Sequence, residues 1–359
     1  MIRSTSPPLT HRPPYGREEL LQAIRLALGV DEGLAIARDW DGVFRAAVAE
    51  RCATLAWLRC GTAIAAAAPS QVTAAFRSHY AANAARIRLA LVASEAATHA
   101  LRDASVSPIM LKGPALAVRL YGDAAARVCS DLDWFVPARM RTRVHEVMLR
   151  EGWAVIEGDG TSETCYGRSH SLGLIYIEVH SSLLHRRYAY LRMPEPSGKL
   201  AVVDGVVVNA HDDALLYAYL SVHLAVHRFA PLAWLIDTVE LWESLSASGR
   251  SDAIRAATLN GIHLYLQWAR ARGALLRRAA LGDTKAADRL GLSNGSRVES
   301  HPMWRHIALA PGVGNTARAA WSWIAPEWAR GNGRNTLRTT VSRVARHWRD
   351  ALPTTHKLA

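Results

Sequence analysis

The hydrophobic period of the chain changes near residue 105, and this change restricts the fold more than any other feature. Before it, apolar residues recur at helical spacing in three segments, residues 17–28, 40–60 and 70–103. After it, short apolar runs separated by Gly- and Pro-containing breaks indicate strands and turns, and helical spacing returns beyond residue 210. The sequence therefore predicts an α+β fold, in which a small mixed β-sheet is flanked by N-terminal and C-terminal helical regions.

Individual residues mark where these elements begin and end. We expect Gly29 and Gly61 to follow the first two helices, and Ser70 to be the N-cap of the third. The tripeptide Lys112-Gly113-Pro114 joins a short strand to a short helix, and Asp204-Gly205 has the signature of a tight hairpin turn. Strands are expected at 107–111, 128–136, 153–156, 171–180 and on both sides of the turn within 201–209, and further helices at 115–121, 139–150, 211–228, 232–246 and 261–276.

These elements divide the chain into five parts. We expect a flexible arm at residues 1–15, where Pro, Ser and Thr are frequent, and an N-terminal helical region at residues 16–104. The α/β core occupies residues 105–210, and the helical region at residues 211–285 completes its cleft. A basic, partly helical segment occupies residues 286–359.

Composition restricts the cellular setting. Half of the residues are apolar, so the chain can bury a sizeable core, and its 359 residues indicate about two or three structural units. The sequence contains no apolar run typical of a signal peptide or of a membrane span. The four cysteines form no Cys-x-x-Cys pair, which is typical of reduced thiols rather than of a disulfide framework or a zinc site. We therefore expect a soluble, cytoplasmic protein with no membrane partner.

Two closely spaced aspartates carry the clearest chemical signal. Asp131 and Asp133 are two positions apart in an apolar strand, so both side chains project from the same face. A pair of acids within a sheet is costly without a cation, and closely spaced carboxylates are what two-metal phosphoryl or nucleotidyl transfer requires. Mg²⁺ prefers such oxygen ligands. Glu178, an isolated carboxylate in a later strand, can complete the metal site or accept the proton of the attacking hydroxyl.

The turn before the first core helix is a candidate phosphate site. Gly113 allows the backbone to approach a ligand closely, and the N-terminus of the following helix offers free N–H groups to a phosphate. The Lys112 ammonium can neutralise the charge of a triphosphate. Together with the acids, this turn predicts a site for a nucleoside triphosphate.

At this point the order of motifs resembles a known family. Leu111-Lys112-Gly113, Leu120-Tyr121, Arg127, the run from Ser130 to Val136 and Glu178-Val179-His180 are similar to the uncharacterised nucleotidyltransferase family, within the DNA polymerase β-like nucleotidyltransferase superfamily. The similarity covers about residues 105–245. It extends to the helices that contain His223-Leu224-Ala225-Val226-His227 and Trp234-Leu235-Ile236-Asp237.

The resemblance implies a small sheet that carries the Asp-x-Asp motif, two Mg²⁺ ions (with Mn²⁺ as an alternative), a nucleoside triphosphate and release of pyrophosphate. It implies that Asp131 and Asp133 bind both metals and that Glu178 is the third acid. Arg127 would contact the triphosphate. Ser130 stands where the family has glycine or another small residue and is included among the nucleotide contacts, with Lys112 and Gly113 at the phosphate turn.

Three histidines are further candidates for the nucleotide site. His180 follows Glu178 by two positions and points to the same side, where it either orients that acid or stays buried and neutral. His223 and His227 are four apart and share one helical face. No Glu follows His223, so the zinc-protease motif is absent, and the pair is interpreted either as core histidines or as nucleotide- or phosphate-facing. Trp234 and Asp237 are expected to have structural roles.

Three functions follow from these patterns. The leading hypothesis is a nucleotidyltransferase that moves a nucleoside monophosphate to an unidentified acceptor, which is a small molecule, a sugar, a peptide natural product or an RNA. The second is a nucleotide-binding or scaffold protein with weakened catalysis, because Glu178 stands where Asp is commoner across the superfamily. The third is RNA binding by the basic C-terminal segment, since the net charge of +12 is concentrated there and favours polyanionic partners. A solvated helix face is the other interpretation of that segment.

Overall fold

The computed structural model describes residues 15–30, 39–158, 163–170, 173–184, 193–211, 214–227 and 231–292. The arm predicted at residues 1–15, apart from its last residue, lies outside these ranges. The basic segment lies outside them beyond residue 292, so the predicted breaks near residues 291–295 and 312–314 are described only through residue 292. The elements that the structure describes alternate from helices to sheet and back to helices, which confirms the predicted α+β fold.

Within the described ranges, four helices precede the sheet: α1 (Arg17–Ala27), α2 (Trp40–Ala49), α3 (Ala53–Ala67) and α4 (Ser70–Asp103). The prediction of a single helix over residues 40–60 is wrong, because Arg51 adopts a left-handed backbone conformation with φ 56° and separates α2 from α3. The prediction that Ser70 is an N-cap is also wrong, since Pro69 occupies that position and Ser70 begins the helix. Gly61 lies inside α3 and does not end it.

A tertiary contact lies next to the break between α2 and α3. Glu50, just after α2, is buried, and its carboxylate accepts hydrogen bonds from the Leu232 backbone N–H (2.8 Å) and from the Tyr15 hydroxyl (3.2 Å). The carboxylate thus satisfies a free N–H at the start of a helix far away in the chain. A helical sequence pattern carries no signal of such a contact, which explains the incorrect prediction.

The centre of the molecule is a seven-stranded mixed sheet in the order β3-β4-β5-β2-β1-β7-β6. Its strands are β1 (Ile109–Met110), β2 (Leu132–Phe135), β3 (Ala154–Gly158), β4 (Glu163–His170), β5 (Gly173–His180), β6 (Gly198–Val203) and β7 (Val206–His211). The predicted hairpin is confirmed, because Asp204 and Gly205 both have positive φ between β6 and β7. Strand β4 was not predicted, and β2 is shorter than the predicted 128–136.

The helices within and after the sheet are α5 (Pro114–Tyr121), α6 (Arg141–Arg150), α7 (Leu215–Val226), α8 (Leu232–Ser244), α9 (Ala247–Leu259), α10 (His263–Ala280) and α11 (Thr284–Leu290). α9 and α11 were not predicted. α7 begins later than the predicted residue 211, because His211 still belongs to β7.

The sheet separates two of the three hydrophobic clusters. One face, with Trp134, Ile177 and Val179, packs against α4 and α6. Phe135 lies on the other face, in a cluster with α7, α9 and α10, and the N-terminal helices form a third cluster with α8, α10 and α11. Strand alternation therefore directs the side chains of Asp133 and Glu178 toward the face on which α7 lies.

All four cysteines are free thiols, and only Cys165 is not buried. Among the helices of the described ranges, none combines the length and apolarity needed to cross a membrane.

Candidate functional site

The site is built on two neighbouring parallel strands. β2 and β5 pair with Asp133 directly opposite Glu178, although 45 positions separate the two residues in the chain. The flanking Leu132 and Trp134 point into the core on the opposite face, so packing fixes the direction in which Asp133 points. Asp133 is buried, with 2% of its surface exposed, while Glu178 is partly accessible. The sheet thus holds two carboxylates side by side.

His180 adds a third group on the same face. Its Nε2 lies 3.3 Å from Asp133 Oδ1 and 3.5 Å from Glu178 Oε2. The side chains of His180, Asp133 and Glu178 each offer one ligand atom, and these atoms lie within 4.8 Å of one another. Two carboxylates and an imidazole form a donor set suited to a divalent cation.

Asp131 lies at the edge of this cluster, immediately before β2. The Ser130 hydroxyl donates a hydrogen bond to its Oδ1 at 3.1 Å. Burial raises the pKa of the Asp131 carboxyl, and the nearby charges of Asp133 and Glu178 raise it further. Asp131 is not among the three residues whose ligand atoms converge in the described ranges. Its repulsion by the other acids is nevertheless what a bound cation would relieve, so the residues present fit a metal ion.

Asp133 is fully paired in this structure. The Lys112 ammonium lies 2.7 Å from Asp133 Oδ2, and His180 contacts the other oxygen. Burial alone would raise the pKa of Asp133, but Lys112 and the hydrogen bond from His180 outweigh it and hold this pKa well below its usual range. Conversely, burial lowers the pKa of His180, but hydrogen bonds to Asp133 and Glu178 raise it to about 9. The imidazole is therefore charged at neutral pH, unlike the buried neutral histidine that was one interpretation of the sequence.

The Lys112-Gly113 turn lies against the same strand. Leu111 donates its N–H to the Asp133 carbonyl at 2.9 Å, which fixes the start of the turn relative to β2. Gly113 has φ 68° and ψ −134°, a backbone conformation essentially restricted to glycine, and Pro114 begins α5 in the first turn. A Cβ on Gly113 would meet its nearest atom, Cys129 Sγ, only at 3.7 Å, so conformation rather than space requires glycine here.

Arg127 connects this turn to α8. Its Nε lies 2.7 Å from Asp237 Oδ2 on α8, and its Nη1 donates to the Gly113 carbonyl at 3.3 Å. The Tyr121 hydroxyl donates to the other Asp237 oxygen at 2.7 Å. Arg127 and Asp237 are both buried. The structure thus gives this guanidinium protein partners, whereas the sequence suggested a triphosphate contact, and it gives Asp237 the structural role that was expected.

His223 lies on α7, and His227 is the C-cap residue of the same helix. Burial lowers the pKa of both imidazoles, and the Lys112 charge lowers it further, to about 4 for His227. Tyr219 lies one turn before His223 on the same helix, is buried, and has its pKa raised by burial. The sequence analysis did not identify Tyr219, although its spacing of four and eight positions from the two histidines was a usable signal.

Glu163 is a second residue that the sequence analysis missed. It pairs with His180 across β4 and β5, and its Oε2 lies 4.0 Å from His180 Nδ1. β4 lacks a regular alternation of apolar and polar residues, so no pattern marked this position. A cavity of about 160 Å³ opens beside Asp131, between α4 and β5, and includes Ser130 and Tyr176 in its lining.

Comparison with solved structures finds two similar chains. The solution structure of the antibiotic-resistance factor ANT(2'')-Ia has 15% sequence identity and a TM-score of 0.30, and the match covers 55% of this chain and 98% of that one. The crystal structure of an antigenic nucleotidyltransferase-like protein from Paracoccidioides brasiliensis has 13% identity and a TM-score of 0.29, with 49% of this chain and 91% of that one covered. No curated protein matches the chain.

The comparison with protein families gives a direct assignment. Residues 37–269 match the uncharacterised nucleotidyltransferase family. This range is well over half of the chain, and it contains the Lys112-Gly113 turn, both aspartates, Glu178 and the histidines of α7. The resemblance drawn from the order of motifs is thereby confirmed, and the chain belongs to the uncharacterised nucleotidyltransferase family.

Proposed function

We propose that the protein transfers a nucleoside monophosphate from a nucleoside triphosphate to a nucleophile on an acceptor and releases pyrophosphate. One observation carries the proposal: Asp133 and Glu178 lie side by side on β2 and β5, next to the Lys112-Gly113 turn. Membership of a nucleotidyltransferase family supports the same reaction class. Asp131, Asp133 and Glu178 are the residues that would hold Mg²⁺, as two ions, with Mn²⁺ as a substitute.

Bound metal would neutralise the polyphosphate and favour ionisation of the attacking hydroxyl. The protein's own groups have separate tasks. The backbone of Gly113 lets a phosphate approach. The Lys112 ammonium leaves Asp133, pairs with the phosphates instead, and balances the negative charge of the departing pyrophosphate. His180 holds Asp133 in its orientation. We assign proton acceptance to Glu178, which is the more accessible of the paired acids.

In the proposed reaction the acceptor oxygen forms a bond to the α-phosphorus. The bond from that phosphorus to the oxygen bridging the α- and β-phosphates breaks, and pyrophosphate leaves with the electron pair. The proton of the acceptor hydroxyl passes to the carboxylate. The acceptor is a small molecule, a sugar, a peptide natural product or an RNA end, and the helices that flank the sheet would select it.

The test measures pyrophosphate released from mixed nucleoside triphosphates and Mg²⁺, with a metabolite extract as the source of acceptor. We expect release by the unmodified protein and its loss in Asp133→Asn and in Glu178→Gln. Glu146→Gln is the matched control, because Glu146 is exposed on α6, which packs on the opposite face of the sheet. Equal release by Glu178→Gln and the control would remove Glu178 from the mechanism.

A second candidate is a nucleotide-binding protein with weakened catalysis. The observation that favours it is that Lys112 and His180 engage both oxygens of Asp133, in addition to the glutamate at the third acid position. Metal-dependent binding of a nucleoside triphosphate without any release of pyrophosphate would support this candidate over the enzyme. RNA binding by the basic segment concerns its arginines beyond residue 292, which lie outside the described ranges.

A further inference from the structure

Three aromatic rings form a cluster beside the proposed site. The ring centroids of His223, on α7, and of His227, the C-cap residue of α7, are 4.4 Å apart, and each lies 4.8 Å from the centroid of Trp234 on α8. Tyr219 extends the row inward, with its centroid 5.8 Å from that of His223. The cluster thus runs along α7 as a row of planar faces, from the buried ring of Tyr219 to His227, part of whose surface is solvent-accessible.

The cluster lies near the phosphate turn, because Trp234 is one turn before Asp237 on α8, and the Arg127 that pairs with Asp237 donates to the Gly113 carbonyl. Beyond the effect of burial, the charges that shift the pKa of His227 belong to Lys112, Asp133, Glu178 and Arg51. The charges of Lys112 and Asp133 also act on the pKa of His223. Since such charge effects decline with distance, these shifts agree with the position of the rings near the turn.

Two properties show what kind of group this row of rings suits. Burial and the Lys112 cation keep both imidazoles neutral at neutral pH, so the rings offer flat faces rather than positive charge. In addition, His223 Nε2 is buried and has no hydrogen-bond partner among the described residues. A buried nitrogen without a partner is unfavourable, so a ligand atom that pairs with it would be favoured. Neutral planar faces together with one unused hydrogen-bonding nitrogen match a planar heterocycle better than they match a phosphate.

A cation borders the outer end of the row. The Arg51 guanidinium lies 6.0 Å from the centroid of Trp234, at the break between α2 and α3. The charges of Arg51 and of Lys112 both act on His227 of the cluster.

We propose that His223, His227 and Trp234 form the subsite for the base of the nucleoside triphosphate, with His227 supplying the accessible stacking face. This inference rests on the proposed function, and it assigns the two histidines to the base rather than to the phosphates. His223 Nε2 supplies a hydrogen bond to an edge atom of the base. Lys112 and the turn at Gly113 then bind the phosphates at the inner end of the same cleft.

The experiment compares two probes by titration calorimetry with Mg²⁺: each of the four common nucleoside triphosphates, and inorganic tripolyphosphate, which has no base. For His227→Ala we expect binding of the preferred nucleoside triphosphate to weaken about 5- to 100-fold, the effect of losing one base stack, with tripolyphosphate binding unchanged. His227→Phe keeps a flat ring and is expected to restore the binding. His99→Ala is the matched control, because His99 is exposed on α4 and outside the cluster.

Other results would overturn the inference in distinguishable ways. An equal loss for both probes in His227→Ala, not restored by His227→Phe, would assign His227 to the phosphates. Unchanged nucleotide binding in His227→Ala, while the unmodified protein still releases pyrophosphate, would refute the base subsite and leave the proposed function standing. An unmodified protein that neither binds nucleotide nor releases pyrophosphate would refute both. Far-UV circular dichroism of each variant shows whether the protein is folded.

Discussion

The buried ion pair between Arg127 and Asp237 allows a quantitative prediction. Asp237→Asn keeps the shape of the side chain but removes its charge, so the Arg127 guanidinium stays buried beside the Gly113 carbonyl without a counter-ion. The exposed fractions of the two side chains are 9% for Arg127 and 4% for Asp237, so water cannot replace the lost carboxylate. Tyr121 would also lose the charged acceptor of its hydroxyl group.

The expected loss is large because the cost of an unpaired buried charge is large. Removing one partner of a buried ion pair typically costs about 3–5 kcal/mol, whereas breaking an exposed pair costs about 1 kcal/mol or less. We therefore expect Asp237→Asn to lower the free energy of unfolding by about 3–5 kcal/mol. The double variant Arg127→Met/Asp237→Leu removes both charges and should recover most of this stability, since well-packed apolar residues replace buried pairs at little cost.

The assay is urea unfolding followed by tryptophan fluorescence, with free energies extrapolated to zero denaturant. The matched control is Asp252→Asn, because Asp252 pairs with Arg255 on the surface, where their side chains are 45% and 70% exposed. A loss below about 1 kcal/mol for Asp237→Asn, or equal losses for the two variants, would refute the argument that Asp237 stabilises the buried charge of Arg127.

Three further predictions concern the site itself. The folded-state pKa of His180, about 9, exceeds the ordinary value of 6.5, so its stabilisation is complete below pH 6.5 and is lost as the pH rises through 9. Without added metal, unfolding free energies should fall over this range by at most about 3 kcal/mol, and His180→Gln should lack this fall. Gly113→Ala should lower the free energy of unfolding by about 1–3 kcal/mol, as measured by urea unfolding. The loss should exceed that of Gly122→Ala, because Gly122 has the milder φ 73° and ψ 4° of a helix C-cap. Lys112→Met should weaken tripolyphosphate binding by about tenfold or more in calorimetry, because it removes a charge-assisted contact to phosphate, and unchanged binding would exclude Lys112 as a phosphate ligand.

Much of the candidate site could be predicted because its signals are local. The alternation of a strand fixes which side chains share a face, so the sequence placed Glu178 and His180 together, and the structure has them 3.5 Å apart. The sequence Lys112-Gly113-Pro114 predicted a turn into a helix, and Gly113 has the backbone that only glycine readily adopts. The hairpin at Asp204-Gly205 is a further local signal that the structure confirms.

Other parts of the site were not predictable from the pattern, because they depend on contacts between distant segments. Arg127 lies 110 positions from Asp237, and only the packing of α8 against α5 shows that its charge is already paired. Glu163 lies on β4, which is largely polar and irregular in pattern and was missed, so its approach to His180 was not expected. The break at Arg51 lies next to the contact between Glu50 and the start of α8, which joins segments 182 positions apart.

The sequence by itself therefore determined the α+β fold, the order of motifs that marks the family, and the two strands that carry the acids. These properties follow from hydrophobic period and from glycine and proline chemistry, which act over a few neighbouring residues. Tertiary structure alone decided that β2 lies beside β5 with Asp133 opposite Glu178, and that Lys112 pairs with Asp133. It also decided that His223 and His227 pack against Trp234. Strand register, burial and charge pairing are set by the whole molecule, because each depends on which distant segment becomes the neighbour.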